Sequence, residues 1–318
     1  MAAVLVASVT LAAAQPSAGD ASRWLARLQQ AAGHQSYQGT LIYSAAGIVS
    51  SSRIVHIGDG RQHYERIDVL DGQERQQFRH NDQMLTLWPR ARVALFEQRD
   101  PIADFPALPA AGLRVLDSYE LRAIGSDRIA GYEAEVLLFK PRDGQRFAQR
   151  LWAERESGML LRTDVLGPQG EVLESTAFTE VTIGGKLPAD GVLAAMKKLD
   201  GYRVVRPLVA RTRPEAQGWA LSHTVPGFQL VSCMRRPLDA PNDNGPSAQV
   251  LQSVFSDGLT QVSVFIEPFD PHHHKPLRTS LGATHTSMSR QGPWWVTVVG
   301  DVPMATVQQF ERIFERQR

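Results

Sequence analysis

Short apolar runs separated by turn-forming residues dominate residues 36–96. The runs are rich in Val, Ile, Tyr and Leu, and their spacing is typical of antiparallel strands joined by tight turns. The turn signals are Gly47, Gly58 with Gly60, Asp71 with Gly72, Asn81 with Asp82, and Pro89. The pattern therefore predicts a meander of about six neighbouring strands.

Alternation within the first run predicts which side chains share a face of the sheet. Tyr37, Leu41 and Tyr43 fall on one face of this strand, and the residues between them fall on the other. Several of the later runs are half polar, which is typical of an antiparallel sheet with one face in water.

A second series of strand patterns occupies residues 119–183. Its strongest turn signals end at Gly144, Gly158 and Gly170. With the meander, this series predicts about eleven strands before Gly184. So many antiparallel strands with helices only at the ends favour one large curved sheet or barrel.

The predicted fold class is mainly β with an α+β part. Residues 20–185 are predicted to form one large curved antiparallel sheet or barrel, entered through an amphipathic helix over residues 20–32. Residues 186–218 are predicted to be a linker that begins with a short helix over residues 188–199. The remainder, 219–318, is predicted to be a small α+β domain.

Within that small domain, four strands are predicted over residues 228–234, 248–256, 259–268 and 294–299. Asp257 and Gly258 should join the middle pair as a hairpin. Pro303 should open a terminal amphipathic helix.

Residues 100–112 contain three prolines and several apolar side chains, Phe105 among them, without any periodicity. Prolines at this density prevent regular strand pairing. Two interpretations stay open. The segment is either a flap that covers a core or a lid over a ligand cavity.

The N-terminal residues 1–14 have the apolar run and the small-residue end of a secretory signal, which predicts export with cleavage near Ala14. The chain has a single cysteine, Cys233, so no intramolecular disulfide can form. Cys233 lies in an apolar run that predicts a buried and unreactive thiol.

No recognisable catalytic or nucleotide-binding motif is present, so we expect a protein that is not an enzyme and has no cofactor. His272, His273 and His274 lack the spacing of a metal site and favour a solvated loop. His56 and His63 are expected to form a structural pair across a turn. With 34 basic and 33 acidic residues, the chain gives no reason to expect a nucleic-acid partner.

Residues 201–236 are locally basic, with six arginines and one glutamate, for a local charge of +5. Arginine favours planar pairing with carboxylates or phosphates. The segment is therefore either a solvated linker or the contact surface of an anionic partner, namely an acidic peptide or a lipid phosphate. The candidate partner-binding residues are Arg203, Arg206, Arg211, Arg213, Arg235 and Arg236.

Short segments in both halves of the chain resemble the RseB/MucB family of periplasmic regulators of the envelope-stress sigma factor. These segments are residues 36–43, 127–131, 141–143, 156–161, 227–230, 234–236, 256–259, 262–268 and 296–300. Each one is short, and it is their order along nearly the whole chain that carries the resemblance.

The resemblance implies that the protein binds the periplasmic part of a single-pass anti-sigma factor of the RseA/MucA type. Such binding shields the anti-sigma factor from the protease that cleaves first, and lipopolysaccharide or other lipid is proposed to release it. The resemblance also implies that the large domain, residues 20–185, is an unclosed antiparallel β-barrel with an apolar cavity, similar to the lipoprotein carriers LolA and LolB. From strand alternation, the cavity residues would be Leu41, Tyr43, Ile54, Phe78, Leu85, Leu87 and Phe105.

Two alternatives differ in what they predict. A lipid or lipoprotein carrier would bind acyl chains and form no stable complex with an anti-sigma fragment. An exported hydrolase would need a clustered nucleophile and base, for which the sequence offers no motif. The number of copies in the assembly is left open.

Overall fold

We analysed a computed structural model of the chain that describes residues 18–98, 114–185, 187–237 and 249–317. The predicted signal segment 1–14 and the proline-rich segment 100–112, with Phe105, lie outside the described residues. No helix in the described ranges is both long and apolar enough to cross a membrane.

The larger unit is one sheet of twelve strands, and the eleven strands predicted from the sequence are all present before Gly184. Its strands are β1 (Tyr37–Ala45), β2 (Ile48–Gly58), β3 (His63–Val69), β4 (Gln76–His80), β5 (Gln83–Trp88), β6 (Val93–Gln98), β7 (Tyr119–Ile129), β8 (Tyr132–Pro141), β9 (Ala148–Glu154), β10 (Leu160–Leu166), β11 (Val172–Ile183) and β12 (Arg203–Val205). The spatial order is β12-β6-β5-β4-β3-β2-β1-β11-β10-β9-β8-β7. The two end strands do not pair with each other, which confirms the prediction of an unclosed, mainly β fold.

The twelfth strand is the part of this sheet that the sequence did not reveal. β12 lies inside the predicted linker and pairs in parallel with β6. Three residues are too few to show a period of two, so the strand could be recognised only from its pairing. The chain leaves this sheet after Val205 and joins the second sheet at Ala210.

Helices cover two regions of the large sheet. Helix α1 (Ala18–His34) buries Leu25 and Leu28 in an apolar cluster with Tyr119 and Phe139. Helix α2 (Val115–Ser118) is a single turn that leads into β7. Helix α3 (Asp190–Lys197) covers the meander strands through Val192.

The smaller unit is a seven-stranded sheet with one helix on it. Its strands are β13 (Ala210–Arg211), β15 (Gln229–Pro237), β16 (Gln249–Ser256), β17 (Gln261–Pro268), β18 (Leu277–Leu281), β19 (Thr284–Gln291) and β20 (Trp294–Gly300), and a two-stranded ribbon is formed by β14 (Trp219–Leu221) and β21 (Phe314–Arg316). Helix α4 (Met304–Glu311) buries Val307 and Phe310 against Phe255 and Val264. The four predicted strands and the hairpin at Asp257 are confirmed.

The hairpin of β18 and β19 is a second feature that the sequence did not reveal. Its strands are short and rich in Ser, Thr and His, so they lack the apolar alternation that marks a half-buried strand. The pairing of β19 with β20 places this hairpin at the end of the sheet.

Cys233 is 8 % exposed within the core of the small unit, as predicted, and burial raises the pKa of its thiol. We expect iodoacetamide to alkylate Cys233 at least about a hundredfold more slowly in the native protein than after unfolding in urea, because the thiolate is the reactive form. Mass spectrometry over time measures both rates. A cysteine introduced at exposed Leu208 in a Cys233→Ser background is the control, and equal rates for native and unfolded Cys233 would contradict the prediction.

Candidate functional site

A buried ion pair joins the two units. Arg146, in the loop between β8 and β9, donates from Nε to Oδ2 of Asp257 at 2.7 Å, and both side chains are fully buried. Tyr119 donates to the same carboxylate oxygen at 3.0 Å. The other oxygen accepts the backbone N–H groups of Leu259 and Thr260, at 2.9 Å each. Every oxygen of the buried carboxylate therefore has partners, which is the condition for a stable buried charge.

The turn that carries Asp257 enters the large unit. Leu259 packs in the apolar cluster of Tyr119 and Phe139. On the other side of the ion pair, Arg146 donates to the carbonyl oxygen of Pro226 at 2.8 Å. Thr306 in α4 donates to the carbonyl oxygen of Gln145 at 2.8 Å. These contacts hold the two units in one arrangement.

A second contact between the units lies at the far end of β1. Glu174 on β11 accepts hydrogen bonds from the hydroxyl of Tyr43 and from the backbone N–H of Ala283, and Oε2 of Glu174 is buried without a partner. Burial, together with the nearby charge of Asp301, raises the pKa of Glu174 to about 7. Burial and Glu174 likewise raise the pKa of Tyr43 to about 12. A carboxyl in this position favours its neutral form.

A cleft of about 320 Å³ has one wall from each sheet. The wall from the large sheet includes Glu65, Ile67, Arg79, Met84 and Glu97. The wall from the small sheet includes Ser232, Met234, Arg236, Val254 and Ser263. Register explains the second wall, because Ser232 lies opposite Val254 and Val254 lies opposite Ser263. Residues directly opposite each other share a face of an antiparallel sheet.

The lining of the cleft mixes apolar side chains with charges of both signs. Met84, Met234 and Ile67 provide apolar surface, while Arg236 and Glu65 bring opposite charges. An acyl chain would remove water from these charged side chains and from the glutamine amides beside them without offering any hydrogen bond in return, at a cost of several kcal/mol. An extended peptide with both apolar and charged side chains would satisfy them. The cleft is therefore suited to a peptide segment.

The predicted arginines fall into two groups, one on each sheet. Arg203 and Arg206 lie at the β12 edge of the large sheet, and the guanidinium of Arg206 stands 4.4 Å from the ring centroid of Phe96. Arg211, Arg213, Arg235 and Arg236 belong to the small unit. The structure therefore does not gather the six into one patch.

Two arginines of the small unit, Arg236 and Arg211, lie on the side of the sheet that borders the cleft. Arg236 lines the cleft, with its guanidinium 5.5 Å from the ring centroid of Phe265. Arg211 pairs with Met234, another cleft residue. The pKa of Asp82 is lowered mainly by a hydrogen bond from Gln98 and in part by the charge of Arg211, which links this arginine to the large unit. Arg213 and Arg235 are exposed to solvent.

The residues predicted for one apolar cavity lie on two opposite faces of the large sheet, which corrects the prediction of a single surface. Ile54 lies opposite Ile67, and Ile67 lies opposite Gln77, so the next residue, Phe78, points the other way. Leu41 is buried in the cluster of Ile54, whereas Leu85 and Leu87 pack with Phe78 under α3. Alternation shows which side chains of one strand share a face of the sheet. Only the register between strands shows which side chains of neighbouring strands lie on the same face.

Tyr43 also differs from its predicted role. Its hydroxyl donates to Glu174 at the contact between the units. A phenolic hydroxyl that is partly buried needs such a partner. Phe78 is the one predicted cavity residue among those described that also borders the cleft.

The histidines have structural surroundings. The ring centroids of His56 and His63 are 6.0 Å apart, as expected for a cross-strand pair. His273 is solvent exposed, as predicted for the loop, but His274 stacks on Trp295 at 4.7 Å between centroids. No group of three or more metal-ligating side chains occurs among the residues that the structure describes.

The residues that sequence reasoning missed are Arg146, Asp257, Tyr119, Glu174 and Asp301. Asp257 was recognised only as part of a hairpin turn. The one available signal was Leu259, an apolar residue directly after a polar turn, which indicates that the turn is covered. The pairing of Glu174 with Asp301 joins positions more than a hundred residues apart and leaves no local pattern.

Comparison with known proteins covers both units. Residues 20–196 match the model of the MucB/RseB N-terminal domain, and residues 213–314 match that of the MucB/RseB C-terminal domain. The sigma factor AlgU regulatory protein MucB of Pseudomonas aeruginosa is 32% identical over 316 residues, which cover 96% of this chain and 94% of that protein. The sigma-E factor regulatory protein RseB of Haemophilus influenzae is 22% identical over 293 residues, covering 91% and 89%.

A solved structure of the Pseudomonas aeruginosa MucA/MucB complex superimposes with a TM-score of 0.70 and 28% sequence identity. The match covers 94% of this chain and 99% of the chain in that structure. The similarity therefore extends through both sheets and through the region between them.

Proposed function

Since this chain belongs to the MucB/RseB family, we propose that it acts in the periplasm by binding the periplasmic part of a single-pass anti-sigma factor of the RseA/MucA type. Bound in this way, the anti-sigma factor is shielded from the protease that cleaves it first, and the sigma factor stays sequestered. Members of this family are regulatory binding proteins, so the prediction that the chain is not an enzyme is confirmed by its membership.

The observation that carries the proposal is the cleft between the two sheets. It is open to solvent, it takes one wall from each unit, and its lining combines methionines with charges of both signs. Methionine side chains adapt to varied apolar partners, and arginine pairs well with carboxylates. An extended anti-sigma segment would place apolar side chains against Met84 and Met234 and an acidic side chain against Arg236.

The remaining arginines are proposed to act at longer range. Arg203, Arg206, Arg213 and Arg235 are exposed. Arg203 and Arg206 lie where the chain leaves the large sheet, and Arg211 and Arg213 lie where it enters the small one. Exposed charges of one sign raise the association rate of an oppositely charged partner and lose this effect in salt. Their contribution would therefore be to the rate of encounter.

The carrier alternative is not favoured. The chain is similar over 96% and 91% of its length to two proteins that are named as sigma-factor regulators. Five of the residues assigned to a lipid cavity are packed in two separate cores, Leu41 and Ile54 in one and Phe78, Leu85 and Leu87 in the other. Release by lipopolysaccharide or another lipid remains part of the proposal. It requires a lipid that prefers an arrangement of the protein to which the anti-sigma segment binds less well.

Substituting Arg236 by alanine should weaken binding of the periplasmic anti-sigma fragment at least about tenfold, because the buried acidic partner would lose its charge-assisted contact. Isothermal titration calorimetry measures the affinity. Arg290 is a matched control, since it also stacks on a phenylalanine of the small unit, with 4.2 Å to the ring of Phe269, and lies outside the cleft. Equal affinity of Arg236→Ala and the unchanged protein would contradict the placement of the segment.

The regulatory part of the proposal has its own test. The first protease should cleave the fragment slowly when the unchanged protein is present, and faster when Arg236→Ala replaces it at the same concentration. Adding lipopolysaccharide to the first mixture should restore cleavage. If the lipid changes neither cleavage nor affinity, then release by lipid is wrong.

A further inference from the structure

The two sheets together have four end strands, and three of them are protected against further pairing. β12 has three residues and β13 has two, so both are too short to template another strand. β7 is long, but its register shifts between Ala123 and Gly125, and charged residues follow that shift. Short length, irregular register and exposed charge are the usual ways in which proteins block pairing at a sheet edge.

β18 is the end strand that lacks these protections. Its five residues pair with β19 in continuous register, without a bulge or a proline. All five are exposed, and Leu277 and Leu281 are 50% and 45% exposed. The one charged side chain, Arg278, turns towards α4, where it pairs with Glu311 at 3.4 Å. No strand among the described residues pairs with the outer edge of β18, so its backbone groups are open to a further strand there, flanked by two leucines on one face.

An apolar path continues from this edge across the contact between the units. Gly282 follows Leu281 and packs so closely that a Cβ there would lie 2.8 Å from the Cβ of Ala45. Ala45 pairs with Ile48 in the hairpin of β1 and β2. Ile48, which shares a face of the sheet with Ala45, is 53% exposed.

The same path extends to β11. The Cβ position at Gly282 would also lie 2.9 Å from the carbonyl oxygen of Leu173, and the adjacent Val172 is 45% exposed. Leu281, Ile48 and Val172 are thus grouped around Gly282, where the two units meet. Exposed apolar residues are ordinary when they are scattered singly, but a group of them at one place indicates a contact surface.

We propose that the outer edge of β18 is a strand-addition site for an extended segment of the anti-sigma factor, with apolar side chains at alternate positions. The inference rests on the proposed function and adds a second contact outside the cleft. Backbone hydrogen bonds to β18 would hold the segment, and the leucines would select its side chains. Beyond Leu281 the segment would run on to Ile48 and Val172.

The length of the apolar path favours such a segment over a second copy of this chain. Two copies of β18 could pair antiparallel, with Leu277 opposite Leu281 of the other copy, because their sequence is compatible with two-fold symmetry. A five-residue strand would then end at Leu281 and would leave Ile48 and Val172 uncovered. A longer segment covers both.

The double substitution Leu277→Glu with Leu281→Glu should weaken binding of the periplasmic anti-sigma fragment at least about tenfold, since charges at a pairing edge oppose strand addition. Ile124→Glu, on the other long edge at 47% exposure, is the matched control and should bind like the unchanged protein. Hydrogen exchange of the unchanged protein provides an independent readout, because the amides of residues 277–281 should exchange more slowly when the fragment is bound.

The possible outcomes separate the two proposals. Unchanged affinity of the double variant, with no protection of the β18 amides, overturns strand addition, while a loss of binding in Arg236→Ala still supports the cleft. In the absence of the fragment, the β18 amides could become more protected from exchange as the protein concentration rises, while the molar mass doubles. That result identifies a second copy as the occupant and also overturns the proposal. A complete lack of binding to the unchanged protein overturns both.

Discussion

Substituting Asp257 by alanine should lower the free energy of unfolding by about 3–5 kcal/mol, the cost of leaving a buried charge without its partner. The guanidinium of Arg146 would remain buried and would keep only Asp143 and the carbonyl oxygen of Pro226 as hydrogen-bond acceptors. The backbone N–H groups of Leu259 and Thr260 would also lose their acceptor. Denaturation in urea, followed by circular dichroism, measures the change.

The same substitution should also separate the unfolding of the two units. Asp257 is in the small unit and its partners Tyr119 and Arg146 are in the large one, so its loss weakens the coupling between them. Glu120→Ala is the control. It removes one partner of an exposed pair with Arg122 on β7 and should cost less than about 1 kcal/mol. A loss below about 1 kcal/mol in Asp257→Ala would show that the ion pair does not hold the units together.

Stability should fall as the pH rises from about 4.5 to about 7, and the substitution Glu174→Gln should remove this fall. The pKa of Glu174 is about 7 in the folded protein, against an ordinary value of 4.5. Between these two values the folded state binds a proton that the unfolded state has released, so raising the pH costs stability. Above pH 7 both states are ionised, and the cost no longer grows.

The size of this effect is about 1–2 kcal/mol once screening by solvent at the rim of the contact is allowed for. A glutamine keeps the shape of the neutral side chain and carries no charge towards Asp301, so Glu174→Gln should be the more stable protein at pH 8. Asp301 and Tyr43 are the titratable groups that act on Glu174. His285, the second residue of β19, is not among these groups. Its ring stacks on that of Phe147, with 5.9 Å between the two ring centroids.

Glu180→Gln on the same strand is the matched control for this experiment. Glu180 is exposed and accepts a hydrogen bond from Thr40 at 2.8 Å. On β11 it lies opposite Thr40, whereas Glu174 lies opposite Ala45 at the other end of β1. Its substitution should leave the pH dependence in place. If the fall between pH 4.5 and 7 persists in Glu174→Gln, another group is responsible for it.

Much of the fold was predictable because the information is local. The turns at Gly47, Gly58 and Asp71 divide the meander, and each strand between them carries a period of two. Strand patterns and turn residues act within about ten positions of the chain, so eleven strands, helix α1 and the hairpin at Asp257 could be recognised. The six arginines were also visible as a cluster in the sequence, although the structure divides them between two sheets.

What the sequence by itself determined is therefore the eleven strands before Gly184, four strands of the small unit and, through ordered short segments, the family. Only the tertiary structure decided which faces coincide, because a strand such as β4 presents Phe78 to one core and Gln77 to the other side according to its register with β3. It also decided the cleft, the buried pair of Arg146 with Asp257 and the open edge of β18. Each of these joins residues far apart in the chain, and their energies depend on burial and distance that no local pattern records.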